Sequence, residues 1–182
     1  MQSLAIILLC VGSAVSYGIV HDQITARICI EYFTIGHPMI FPTTDPTLLG
    51  IGWGIIATWW AGLLVGILLA IVARAGSRPK RSVSALVPPV AKLMAGMALC
   101  ALAAGTAGWL LGSRQLVFLN GPIARSLPVE RHVPFLTALW AHLASYAAGF
   151  LGAAVLAFAV WRSRDASAHF RPEKIDSTET SM

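Results

Sequence analysis

The sequence predicts an all-α protein, a four-helix transmembrane bundle whose first helix extends beyond the membrane. Of its 182 residues, 57% are apolar and only 12% are charged, which is about half the charged share of an average soluble domain. Four apolar runs are each long enough to cross a hydrocarbon core of about 30 Å as a helix. Short polar or basic segments separate these runs. Lipid is therefore the expected solvent for most of the chain.

The first helix is predicted over about residues 3–33. Met1 to Val20 contains no charged side chain, and no helix breaker follows before Gly36, so the helix should continue out of the membrane. A cleaved signal peptide is the alternative, although the run lacks the basic start that such signals carry. Near its end, Arg27 and Glu31 have the i, i+4 spacing of a favourable surface ion pair.

The other three helices are predicted over about residues 46–74, 90–112 and 134–162. Asp45 and Pro46 are typical of a helix start, because the carboxylate accepts from free backbone N–H groups and proline fits the first helical position. Pro134 opens the fourth helix in the same way. The three charged or titratable residues before it are expected to form a solvated cluster: Glu130, Arg131 and His132. These helices define a transmembrane domain of residues 1–165.

Small residues recur at every fourth position of the second and third helices. In the second helix they are Gly50, Gly54, Thr58, Gly62 and Gly66, and in the third they are Gly96, Cys100, Ala104, Gly108 and Gly112. Such seams let helix backbones approach closely in lipid. They predict that the second and third helices pack together. They also offer a surface for a homo-oligomer or another membrane partner.

The basic residues predict the orientation of the bundle. Nine lie around the second loop and in the C-terminal tail: Arg74, Arg78, Lys80, Arg81, Lys92, Arg162, Arg164, Arg171 and Lys174. Only four lie on the other side: Arg27, Arg114, Arg125 and Arg131. Because basic loops stay in the cytoplasm, both termini are expected there. Residues 166–182 are polar and rich in Ser and Thr, and predict a disordered cytoplasmic tail.

Titratable residues concentrate between His21 and Pro38, a stretch that holds two of the five histidines and two of the eight carboxylates. The fourth helix adds His142, roughly 10 Å below its start. The topology places His21, Asp22 and His142 at the same membrane face. The additional candidate ligands nearby are Glu31 and His37. Imidazole and carboxylate groups bind zinc and other divalent metals, so the three residues are the predicted metal ligands.

Three interpretations of this group remain open. In a structural or partner-binding bundle, it is a buried hydrogen-bond network, the interpretation that the sequence favours because neither HExxH nor any histidine pair with metal spacing occurs within one helix. In a metal-dependent membrane enzyme of the hydrolase type, the metal activates water. In the third interpretation the same groups relay protons.

Several other classes of function are excluded by composition. The net charge of +5 arises from bases in short loops that are not interleaved with exposed aromatic residues, so no nucleic-acid surface is expected. Three cysteines without CxxC or zinc-finger spacing predict no disulfide framework. The sequence also contains no phosphate-binding glycine loop, nucleophile elbow or haem attachment motif.

Three segments carry a resemblance to known proteins: YGIVHDQITARICIEYFTIGHP at residues 17–38, PTLLG at 46–50 and GWGIIATWW at 52–60. They resemble an uncharacterised group of small bacterial multi-pass membrane proteins. The resemblance covers about the first 80 residues well and the rest loosely. It implies a multi-pass protein of the bacterial inner membrane and transfers no activity or site residue.

Overall fold

The computed structural model describes residues 1–169, with side chains as far as Arg164. Every regular element in this part of the chain is a helix, which confirms the predicted all-α class. The elements are α1 (Gln2–Ile28), α2 (Glu31–Thr34), α3 (Pro46–Ile56), α4 (Trp59–Arg74), α5 (Val83–Ser113), α6 (Gly121–Ser126), a 3₁₀ turn (Val129–Arg131) and α7 (His132–His169). Most of the predicted disordered tail, residues 166–182, lies outside the described residues.

Four helical segments are long and apolar enough to cross a membrane, as predicted. They are Gln2–Ile28, Pro46–Arg74, Val83–Ser113 and Val129–Arg164. The second consists of α3 and α4, which join at a break near Thr58. As predicted, Asp45 begins it by accepting hydrogen bonds from the backbone N–H groups of Thr47 and Leu48. The chain is therefore a four-helix membrane bundle.

The connections lie at two opposite ends of the bundle. The Glu31 end comprises residues 29–45 and 114–131, and the Arg164 end comprises Met1, residues 75–82 and Arg164. Arg164 is only 2% exposed. Its guanidinium donates hydrogen bonds to the backbone carbonyl of Val72 in α4 and to three carbonyls of the α4–α5 connection, those of Ala75, Arg78 and Pro79. These bonds tie α7 to that connection.

The two glycine seams pack against helices other than those predicted. A Cβ added at Gly54 would lie 2.5 Å from Ile19 Cα of α1, and one at Gly62 would lie 2.8 Å from Val11 Cα of α1. A Cβ at Gly108 would lie 3.0 Å from the Leu136 carbonyl of α7. The predicted packing of the second helix on the third is therefore wrong. A small-residue seam admits any neighbouring backbone, so its spacing cannot identify its partner.

Two helix boundaries also differ from the predictions. The first helix stops at Ile28, because Cys29 is extended (φ −152°, ψ 93°), and α2 then continues in a new direction. The β-branched Ile28 and Ile30 flank this break and are weaker helix formers than unbranched residues. The third helix begins at Val83 rather than near residue 90, so its two prolines lie inside α5.

Buried apolar side chains form two separate clusters. The cluster of the Arg164 end contains Ile6, Cys10, Leu69, Ala70, Ala73, Leu86, Val90, Leu156, Ala157 and Val160. The cluster of the Glu31 end contains Ala26, Cys29, Tyr32, Phe33, Leu49, Trp53, Leu127, Phe135 and Ala138. Along α1 and α7, the predicted ligands lie between these two clusters.

Candidate metal centre

His142 is the buried centre of the site, with 5% of its surface exposed. Its Nδ1 lies 2.9 Å from the backbone carbonyl of Ala138, one turn earlier in α7. A carbonyl oxygen only accepts hydrogen bonds, so this contact assigns the ring proton to Nδ1. The lone pair of Nε2 is then directed towards α1.

The carboxylate of Asp22 on α1 faces that lone pair. Asp22 is 5% exposed, and its Oδ1 lies 3.1 Å from His142 Nε2. A carboxylate oxygen and an unprotonated ring nitrogen are both acceptors, so they repel one another unless a cation lies between them. In this buried position water cannot screen the repulsion. The contact therefore requires either a proton or a metal ion.

His21 completes the group from the position next to Asp22. Its Nε2 lies 3.3 Å from His142 Nδ1, and one candidate ligand atom from each of the three side chains lies within 4.8 Å of the others. Ligands of a tetrahedral metal with bonds of about 2.0 Å are about 3.3 Å apart. The contact between Asp22 and His142 has about this spacing, whereas the 3.3 Å contact of His21 is to His142 Nδ1, the nitrogen that carries the proton. That the three side chains bind a metal stays a prediction.

Glu31 and His37 do not join this group. Glu31 accepts two hydrogen bonds from Arg131, at 2.8 Å from Nε to Oε1 and at 2.7 Å from Nη2 to Oε2. His37 uses its Nδ1 to donate to the backbone carbonyl of Tyr32 at 2.8 Å. Their carboxylate and ring nitrogen are therefore used to fix the Glu31 end instead of adding ligands to the site.

Two smaller sequence predictions are also wrong, one for Arg27 and one for the cluster before the fourth helix. Arg27 does not pair with Glu31; it donates to Gln23 and Thr47, because the break at Cys29 redirects the chain. The cluster predicted before the fourth helix is not simply solvated either. Arg131 binds Glu31, and His132 donates from Nε2 towards the carbonyls of Ala124 and Leu127.

Aromatic rings enclose the two histidines. Tyr32 stacks on His142 with ring centroids 4.3 Å apart and an angle of 29° between the planes. Tyr17 stacks on His21 at 5.7 Å, and its hydroxyl lies 2.8 Å from Ser145 Oγ. Neither tyrosine is among the predicted site residues. The four-residue spacing of Tyr17 and His21 was a usable signal, whereas the position of Tyr32 depends on the break at Cys29.

The charges at the Glu31 end are separated from the site by neutral groups. The hydrogen bond from Arg131 lowers the pKa of Glu31 below its ordinary value, so the carboxylate stays ionised. Burial raises the pKa of the Cys29 thiol to about 11 and also raises the pKa of Tyr32. Both of these groups are therefore neutral near pH 7. Neither group supplies the positive charge that the contact between Asp22 and His142 requires.

A small cavity of about 90 Å³ adjoins the site on the side of the Arg164 end. Tyr17, Ser145 and Tyr146 contribute to its wall, which is otherwise almost entirely apolar. Beyond it lies the apolar cluster of the Arg164 end, which includes Cys10. Among the described residues, the buried interior on this side therefore becomes apolar beyond these side chains.

No protein-family model matches the chain, and neither the curated proteins nor the solved structures contain a significant match. The function must therefore be inferred from the chemistry of the site itself.

Proposed function

We propose that this chain is a metal-dependent enzyme of the bacterial inner membrane that binds a divalent metal ion at His21, Asp22 and His142 and catalyses hydrolysis. The observation that carries the proposal is the convergence of one candidate ligand atom each from His21, Asp22 and His142 within 4.8 Å, with Asp22 Oδ1 only 3.1 Å from His142 Nε2. Two acceptors held this close in a buried site require a cation between them. A divalent ion satisfies both of these atoms and His21 together.

Further features favour a metal over a proton. The ring N–H of His142 donates to the Ala138 carbonyl, the arrangement that fixes the ring of most metal-binding histidines. Two imidazoles and a carboxylate are the ligand set of several catalytic zinc sites, in which the fourth position is left for water. When bound there, such a metal would supply a hydroxide near neutral pH.

The residues around the site have distinct roles in this proposal. Asp22 and His142 are fixed on two long helices, α1 and α7, so their separation is set by rigid elements. Tyr32 covers one face of the His142 ring and keeps bulk water from it. His21 is only half-buried, so the side of the site next to it is open to a substrate.

The second candidate is a structural or partner-binding bundle. Here a proton between His142 and Asp22 satisfies the contact, and the buried ion pair cross-links α7 to α1. The hydrogen-bonding distance of 3.1 Å suits this candidate equally well. In it, the glycine seams are not the preferred surface for a partner, because Gly54, Gly62 and Gly108 already contact helices of the same chain.

Both candidates share one proposed orientation. The Arg164 end carries the connection with Arg74, Arg78, Lys80 and Arg81, so the positive-inside rule favours a cytoplasmic location for it. Both termini are then cytoplasmic, and the site lies nearer the periplasmic face.

Elemental analysis of protein purified in detergent without a histidine tag tests the proposal. After reconstitution with Zn²⁺, Mn²⁺ or Fe²⁺ and removal of excess metal, the wild type should retain about one ion per chain, as a three-ligand catalytic site does. His142→Ala and Asp22→Asn should retain almost none. His132→Ala is the matched control, since His132 lies on the same helix outside the group, and it should behave as wild type.

A wild type that retains none of these metals contradicts the enzyme proposal. If His142→Ala and Asp22→Asn then only reduce resistance to unfolding, the second candidate is supported instead. Equal metal retention by wild type and His142→Ala would place the ion elsewhere and would also contradict the proposed site.

A further inference from the structure

An apolar groove of about 390 Å³ runs along α1, α5 and α7 and reaches His21. Ile24, Leu102 and Trp109 form part of its wall, and all three side chains are more than half exposed. The whole lining belongs to segments that can span a membrane. The groove therefore opens sideways onto lipid and not onto water.

Apart from the indole N–H of Trp109, the groove presents one polar group to an occupant among the described residues. Its three threonines donate their hydroxyls to backbone carbonyls of their own helices: Thr25 to His21 at 3.1 Å, Thr106 to Leu102 at 2.8 Å and Thr137 to Val133 at 2.9 Å. The hydroxyl of Tyr17 is bound to Ser145. His21 Nδ1, by contrast, makes no hydrogen bond with any residue up to Arg164. An apolar wall beside a single imidazole is complementary to an amphiphile.

The depth of His21 indicates which part of an amphiphile meets the ring. As a 27-residue helix, α1 is about 40 Å long, about 10 Å more than a hydrocarbon core. If the excess is shared between both ends, the hydrocarbon boundary lies about 5 Å from each end. His21 is seven residues before Ile28 and so lies about 5 Å below that boundary. The ester groups of glycerolipids lie at this boundary, about 5 Å nearer the membrane surface than His21, so an acyl chain that sinks into the groove by this distance brings its ester to the ring.

We propose that the groove binds one acyl chain of a glycerolipid and places its ester group next to His21. The substrate class of the site is then a membrane lipid ester that enters sideways from the bilayer. The lipid as substrate rests on the proposed function above, whereas the binding of the lipid depends only on the groove.

Native mass spectrometry of the detergent-purified full chain with added palmitoyl-oleoyl phosphatidylglycerol tests this binding. The wild type should retain one lipid, and Thr106→Trp, which fills the groove, should retain at least fivefold less. Ala103→Trp is the matched control, because Ala103 is also exposed on α5 but lies outside the groove lining; it should behave as wild type. Thermal unfolding in the same detergent checks that both variants fold.

A second comparison needs no variant. The dialkyl ether analogue of the same lipid lacks the ester carbonyls, so the wild type should retain severalfold less of it if His21 Nδ1 donates to an ester. Equal retention of ester and ether lipids, equal retention by Thr106→Trp and wild type, or loss of lipid in Ala103→Trp would each overturn the inference.

Metal analysis of the same samples separates this inference from the proposed function. Retained lipid without metal would support the groove and contradict the metal site. Retained metal without lipid would do the opposite, leaving the proposed enzyme with a substrate of another class.

Discussion

The two halves of the bundle differ in what their interiors contain. In the half near the Glu31 end, α1 and α7 bring together two imidazoles, a carboxylate and stacked tyrosines. In the half near the Arg164 end, the interior is an apolar cluster whose largest members are Ile6, Leu69 and Leu86. Polar groups at membrane depth are costly and are usually retained for function. The comparison places the buried histidine and carboxylate of the site in one half and a mainly apolar interior in the other.

The same difference disfavours a proton path through the whole bundle. Such a path requires polar side chains or water at every depth. Between Tyr17 and the Arg164 end, the described residues offer only Arg164 itself and the thiol of Cys10 as buried polar groups. A group reached from one face alone suits a site for binding or hydrolysis better than a relay.

The largest effect is expected from a substitution in the site, in the half near the Glu31 end. His142→Ala leaves the Asp22 carboxylate buried without its partner, which costs about 3–5 kcal/mol in comparable buried pairs, and it should remove metal binding. Unfolding in mixed micelles by increasing sodium dodecyl sulfate measures the cost. The double variant His142→Ala with Asp22→Asn should recover part of it, because no charge is then left unpaired. A single variant as stable as wild type would show that Asp22 is not held by His142.

A substitution in the half near the Arg164 end should cost a similar free energy of unfolding but leave the site intact. Leu69 is fully buried, so Leu69→Ala removes apolar contacts and is expected to cost about 2–4 kcal/mol. Retention of metal by folded Leu69→Ala, measured as for the wild type, should be unchanged. A parallel loss of metal would mean that the two halves are not independent.

A smaller effect is expected at the seam that joins α1 to the second transmembrane segment. In Gly54→Ala the new Cβ would lie 2.5 Å from Ile19 Cα, so the helices must separate, at a cost of about 1–3 kcal/mol. Gly96→Ala is the control, since nothing lies within 4 Å of its added Cβ. The same unfolding titration compares them. Equal stability of the two variants would contradict the close approach of α1.

The smallest effect is expected from Glu31→Gln, at the Glu31 end of the bundle. The partly exposed pair with Arg131 should contribute less than about 1 kcal/mol. Because the pKa of Glu31 is lowered by Arg131, its contribution is complete above the ordinary carboxyl pKa of about 4.3. It is lost as the pH falls through the lowered value. The difference in melting temperature between wild type and variant should therefore shrink below about pH 4, and a constant difference would contradict this.

Hydropathy and topology were sufficient to predict the four spans and the meeting of His21 with His142. Both residues are placed by long helices, whose length and direction follow from local sequence. The partner of Glu31 was not predictable, because Arg131 is one hundred residues away and reaches it only after the chain turns at Cys29. The helix that packs on each glycine seam was also not predictable. Gly54 fits closely against any backbone, and the choice of α1 depends on the whole assembly.

The turn at Cys29 would also slow the exchange of a bound ion with water. A straight α1 would carry Tyr32 and Phe33 away from the bundle, whereas the turn folds them back as a lid over the His142 ring. Release of an ion to water would then require α2 to detach. Water-soluble chelators should accordingly strip the site slowly, and Tyr32→Ala should shorten that lag without altering the ligands.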